Sequence, residues 1–193
     1  MKTKYMLVYI TLASLSFSLL SGCKNNPRIA GPENSVTSKE ELIKRGSYLV
    51  SSIGCNDCHS PKKIGSSGLE LIDTLNFSGF PAEGKLPTYD KKVLEQGWSL
   101  INFDFTANVG DWGVSFGANI TSDPTGIGNW PEENFIRAMK KGKYKGIEGA
   151  RTLLPPMPWE DFSNLTDDDV KAIHAFLITT KPVHNIVPAA IAP

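Results

Sequence analysis

The sequence predicts an all-α domain with a long, loop-rich insertion and room for one short hairpin. Two observations carry this. Three segments show a helical apolar period behind recognisable caps. Between the first and second of them lies a Gly-rich stretch, Ser60 to Trp130, with no helical period and one short alternating run. At 193 residues the chain can bury one sizeable core.

The N-terminus carries Lys2 and Lys4, then an apolar stretch from Tyr5 to Leu20, then small residues before Cys23. This is signal-peptide anatomy over residues 1–22. Thr11, Ser14, Ser16 and Ser18 interrupt the stretch, which is short for a span of about 20 apolar residues. Leu19-Leu20-Ser21-Gly22-Cys23 resembles the bacterial lipobox, in which the cysteine thiol is acylated and the chain is cut before it. Cys23 is therefore the expected lipidation site, and residues 23–38 a lipid-bearing, polar tether containing Pro27, Gly31 and Pro32. A single domain over 39–188 and a tail over 189–193 follow.

Lys+Arg and Asp+Glu are both 20; loss of Lys2 and Lys4 leaves 18 against 20, net −2. That balance argues against nucleic acid as a partner, which calls for a basic face.

The first helix starts at Thr37 or Ser38, with Glu40 and Glu41 in its first turn, and ends near Gly54. Leu42, Ile43, Tyr48, Leu49 and Ile53 are its apolar residues. The second runs from Pro131 to Lys141, with Phe135, Ile136 and Met139 facing inward. The third runs from about Thr166 to Thr179, with Val170, Ile173 and Leu177 as its stripe and Pro182 beyond its end. In the insertion, Ile101, Phe103 and Phe105 alternate with Asn102 and Asp104; this suggests a strand, hairpinned near Asn108 to Trp112.

Cys55-Asn56-Asp57-Cys58-His59 is the motif that carries chemistry. Two thiols at this spacing add across the two vinyl groups of a haem, and the adjacent imidazole reaches the iron. A redox dithiol would want a strand before it and a helix after it; here a helix precedes and Ser60-Pro61 follows. A zinc site needs further Cys or His at ligand spacing, and His174 and His184 are isolated. One covalently bound haem c is the expected cofactor. Candidates for the sixth iron ligand are Met157, Met139, His174 and His184. Met157 lies in Leu153-Leu154-Pro155-Pro156-Met157-Pro158-Trp159, a stiff loop suited to holding a thioether. Met139, four residues after Phe135, reads as core packing. His174 reads as a helix side chain.

These residues resemble class I cytochromes c, and more closely the haem c domains of cytochrome subunits of bacterial membrane-associated dehydrogenases. The matching runs are Arg45-Gly46-x-Tyr48-Leu49, the haem motif, Gly117-Ala118-Asn119-Ile120-Thr121-Ser122-Asp123, Thr125 to Trp130, Phe135 to Met139, Leu154 to Trp159 and Leu165 to Val170. The resemblance covers about residues 40 to 182; segment 62 to 110 matches less clearly. It implies an all-α cytochrome c fold in which the first and last helices cross closely, with Gly46 permitting the approach. It implies Cys55 and Cys58 as thioether sites, and His59 and Met157 as axial ligands of the haem iron. Trp112, Trp130 and Arg151 are candidates for covering the haem edge or binding propionates. Subunits of that family often carry three haem domains, whereas this sequence holds one such motif.

The function expected is that of a membrane-tethered monohaem carrier in the bacterial cell envelope. It faces the periplasm or extracytoplasmic side and moves single electrons between a donor dehydrogenase and an acceptor cytochrome or oxidase. The alternative is a dedicated electron-transfer subunit of a membrane dehydrogenase or oxidase complex. A haem enzyme would need an open iron site or a second haem, and a sensor would need an output module; neither feature is apparent in the sequence.

Overall fold

The computed structural model describes residues 38–193. The leader, Cys23 and the tether up to residue 37 lie outside the described residues. Among the described residues no helix is long and apolar enough to cross a membrane.

The frame is helical. Helix α1 (Lys39–Ser52) is closed by a capping box in which Ser38 Oγ accepts from Glu41 N–H at 3.2 Å while Ser38 N–H donates to Glu41 Oε2 at 2.9 Å. Gly54, left-handed at φ 74°, turns the chain directly into the short helix α2 (Cys55–His59). Much further along come α4 (Glu132–Lys141), ended by left-handed Gly142, and α6 (Asp167–Leu177), capped by Thr166 Oγ1 accepting from Asp169 N–H at 3.1 Å. Two single-turn helices, α3 (Lys92–Glu95) and α5 (Trp159–Phe162), lie in the connections.

Helices α1 and α6 pack closely along their faces. Leu49 and Val50 from α1 meet Val170, Ala172, Ile173 and Leu177 from α6, and Phe135 and Met139 of α4 complete the cluster with Phe77 and Ile127. Gly46 sits at the crossing, where a Cβ would run into the Ala172 carbonyl and the Phe176 side chain. At the rim Arg45 pairs with Asp169 at 2.9 Å, and Lys140 with Asp167 at 2.6 Å. The hydrogen bond from Arg45 holds the Asp169 carboxyl below the usual range.

The all-α expectation is wrong. The insertion forms two antiparallel sheets: a hairpin of β1 (Lys62–Gly65) with β2 (Gly68–Leu71), and a three-stranded sheet in the order β3 (Leu100–Ile101), β4 (Ala107–Gly110), β5 (Gly113–Phe116). Glycine-rich sequence without a helical period cannot supply an amphipathic helix face, so its backbone groups pair across strands instead.

The alternating run also sits differently from its reading as a strand. Only Leu100–Ile101 pairs; the chain then folds into a tight turn around polar side chains. Asp104 Oδ1 accepts from Asn102 Nδ2 at 2.7 Å and from Thr106 Oγ1 at 2.7 Å, and Asn102 Oδ1 accepts from Ala107 N–H at 2.9 Å. Asp104 is 7% exposed, whereas Ile101 and Phe103 are 51% and 57% exposed. Local hydrogen bonds have turned the polar residues in and the apolar ones out. The hairpin between β4 and β5 turns at Asp111-Trp112.

Replacement of Gly46 by Ala tests the crossing. Helix propensity alone would favour Ala by about 1 kcal/mol. The clash with the α6 backbone reverses the sign, and chemical unfolding should show a loss of about 1–3 kcal/mol.

Candidate haem site

The Gly54 turn places Cys55, Cys58 and His59 on one short helix, each half-buried. Both cysteines are free thiols. Burial pushes the Cys55 thiol up to about 11 and raises Cys58 as well, with the Asp57 carboxylate adding to both. These are poor thiolates, unlike the activated pair of a redox dithiol.

His59 is fixed from behind. Its Nδ1 lies 2.7 Å from the Ala118 carbonyl oxygen. A carbonyl can only accept, so the ring proton belongs on Nδ1 and the lone pair on Nε2. Burial lowers the imidazole pKa, opposed by the bond to Ala118, and so favours this neutral form.

The insertion builds the wall that holds Ala118. Gly79 N–H donates to the His59 carbonyl at 2.8 Å, Phe80 N–H to the Gly117 carbonyl at 2.9 Å, and Ile120 N–H to the Phe77 carbonyl at 2.8 Å. Gly117 has no room for a side chain: a Cβ would strike the Cys58 carbonyl. Ser60, fully buried at 0% exposure, donates to Asn56 Oδ1 at 2.6 Å and accepts from Phe77 N–H at 2.8 Å. Lys62 Nζ donates to the carbonyls of Asp57 at 2.7 Å and Asp104 at 2.8 Å, joining the end of α2 to the turn before β4.

The chain beyond α6 stitches the wall together. Asn185 Nδ2 donates to the Ser78 and Phe80 carbonyls at 2.7 and 2.9 Å, and its Oδ1 accepts from Ala82 N–H at 2.8 Å. Asn119 Nδ2 donates to the Val183 carbonyl at 2.9 Å, and its Oδ1 accepts from Thr121 N–H at 3.0 Å.

Met157 is half-buried and packs, like Cys55, Ile120 and Trp130, against the core cluster of α1, α4 and α6. Met157 and Cys55 thus pack against the same core cluster. Met139 is buried inside that cluster. His174 stacks on Phe135 with ring centroids 5.0 Å apart; its Nε2 is buried without a hydrogen-bond partner, and burial lowers its pKa. His184 is exposed, 3.6 Å from Asp123. Trp112 donates to Ser115 Oγ at 3.2 Å, and Arg151 lies 4.1 Å from the Tyr144 ring centre. Cys23 lies outside the described residues.

These residues fit a haem c. The thiols are free and protonated, and the imidazole presents Nε2. A partly buried thioether shares an apolar neighbourhood with Cys55. Sequence reading named Cys55, Cys58, His59 and Met157 as candidates but assigned no supporting role to Ser60, Ala118, Asn119 or Asn185. A small residue straight after the histidine was the one available sign of close packing there.

No family model matches the chain. It is 30% identical over 162 residues, 83% of its length, to the cytochrome c subunit of an alcohol dehydrogenase (quinone) from Gluconobacter oxydans, covering 25% of that protein. It is 39% identical over 143 residues, 73% of its length, to a fructose dehydrogenase cytochrome subunit from Gluconobacter japonicus, covering 22% of it. It is 26% identical over 182 residues, 94% of its length, to a gluconate 2-dehydrogenase cytochrome c subunit from Pantoea cypripedii, covering 29% of it.

The wall can be tested through Ser60. Ser60→Ala leaves the Phe77 N–H and the Asn56 side chain without their partner in a buried setting, and unfolding should show a loss of about 1–3 kcal/mol. Ser66→Ala, at an exposed serine, should stay within about 0.5 kcal/mol. Most of the chain aligns with such subunits: it is a homologue of the cytochrome subunits of bacterial dehydrogenases and spans about a quarter of their length.

Proposed function

We propose that the chain is an electron-transfer haem c domain serving a dehydrogenase. It accepts single electrons from a substrate-oxidising partner and passes them to an acceptor cytochrome or oxidase. The relatives support this reading, a dedicated subunit, better than that of a free-standing carrier, because each is named as a subunit of a dehydrogenase. The observation that carries the cofactor is the His59–Ala118 hydrogen bond, which leaves Nε2 as the free ligand atom.

Bound haem supplies a site that gains and releases one electron. Cys55 and Cys58 hold it covalently, so it stays with the chain through each cycle. His59 and Met157 would hold its iron. A thioether opposite an imidazole gives a higher reduction potential than two imidazoles. The hydrogen-bonded wall behind His59 would hold the imidazole in one orientation.

The anchor is part of the same proposal. Leu19 to Cys23 supports acylation at Cys23 after loss of residues 1–22, which keeps the domain at the outer face of a bacterial membrane. Purification from native membranes should yield a Cys23-acylated chain together with a dehydrogenase catalytic subunit. Substrate of that enzyme should reduce the haem. A chain that starts at Met1 overturns the anchor, and one that purifies alone and is reduced by no such enzyme overturns the partner.

Ligation has its own test. Colour should stay with the polypeptide in acid–acetone, and the double variant Cys55→Ser, Cys58→Ser should lose it. Oxidised protein should show the weak near-infrared band of thioether-ligated iron. Met157→His should abolish the band and lower the potential, whereas Met139→Leu, a volume-conserving core change, should alter neither.

A further inference from the structure

The Met157 loop has little means of holding itself. Pro155, Pro156 and Pro158 have no N–H, so three of its backbone donors are missing. Within the loop, Met157 N–H reaches the Leu154 carbonyl at a long 3.3 Å, and the Met157 carbonyl accepts from Trp159 N–H at 2.9 Å. At its start, Leu153 N–H donates to the Gly142 carbonyl at 2.6 Å. At its end, Trp159 packs against Gly142, where a Cβ would strike the indole. Between these two fixed points the loop is tied from outside. Ser115 Oγ, on β5, donates to the Pro155 carbonyl at 2.5 Å and accepts from Trp112 Nε1 at 3.2 Å.

The brace is well founded. Ser115 is 7% exposed, and its strand is held on both edges. Asn108 on β4 pairs opposite it, and the neighbouring Val114 exchanges both backbone hydrogen bonds with Ile191 of the tail, at 2.8 and 3.0 Å. Trp112 is itself seated on Gly110, which has no room for a Cβ beside the indole. The serine hydroxyl has one proton, and the tryptophan donates into its lone pair, so that proton is directed at Pro155. The bond lies two residues from Met157.

We propose that Ser115, oriented by Trp112, is a positioning residue for Met157: the β4–β5 hairpin of the insertion sets how firmly the thioether is held. The proposal rests on the reading of Met157 as an axial ligand. An iron–thioether bond is weak, so the freedom of the loop that carries the sulfur decides how readily another ligand displaces it. Loss of the brace raises that freedom without touching Met157.

Imidazole added to the oxidised holoprotein competes with Met157, and its apparent Kd reads the strength of the hold. Ser115→Ala should bind imidazole roughly 3- to 10-fold more tightly than wild type, the range expected for one hydrogen bond. It should also show a weaker near-infrared band. Ser115→Thr, which keeps the hydroxyl, should restore both. Trp112→Phe, which removes only the orienting N–H, should shift the Kd in the same direction by less, and serves if Ser115→Ala fails to fold. A purely structural serine would lower the unfolding midpoint and leave the imidazole Kd at its wild-type value; that result overturns the brace. Met157→Ala, measured alongside, separates the two claims. If it binds imidazole as wild type does, the ligand assignment fails and the brace with it. If it binds more tightly while both Ser115→Ala and Trp112→Phe match wild type, only the brace fails.

Discussion

The hydrogen bond from His59 Nδ1 to the Ala118 carbonyl is the constraint on which the rest of the molecule depends. An imidazole can serve as a ligand only if its tautomer and orientation are held, and one carbonyl settles both. Ala118, however, lies 59 residues further along the chain, on a loop exposed to solvent. Something must keep that loop against α2. Glycine at 117 allows the approach, backbone bonds to residues 77–80 fix the register, and Asn119 and Asn185 lock the wall to the chain beyond α6. Much of the insertion can be understood as what is needed to hold one oxygen atom still.

Two kinds of stabilisation divide the fold between them. The helical half is apolar: α1, α4 and α6 bury Leu49, Phe135, Ile173 and Leu177 around a crossing made close by Gly46. The other half is polar and loop-built, and it depends on satisfied buried groups such as Ser60, Thr106, Thr121 and Asn185 rather than on area. The helices give a stable frame at the cost of little specificity. The polar wall supplies the specificity, because a half-satisfied network would cost more than none. The motif stands at the junction of the two.

The sequence made the helical half legible. Caps at Ser38 and Thr166, Pro131 at the start of α4 and the apolar periods located three helices to within a few residues. The motif located its own short helix. Of the sheets only the hairpin near Asn108 to Trp112 was legible, as the β4–β5 turn; β1, β2 and β3 are at most four residues long and too short to show a period. The run from Ile101 to Phe105 misled for a definite reason. Asn102 and Asp104 satisfy nearby backbone and hydroxyl groups, and that local gain outweighed burial of Phe103. Supports such as Asn185 were invisible for another reason: they act across about a hundred residues, and no local pattern records which carbonyl a distant amide will meet.

The most direct measurement of the central claim is nuclear magnetic resonance of the reduced protein with labelled methionine methyl groups. A methyl bound over the face of the haem is displaced far upfield by its ring current. The account predicts one such methyl, assigned to Met157, with the Met139 methyl in the ordinary range. No displaced methyl, or one assigned to Met139, would contradict the arrangement of His59 and Met157 about a single haem.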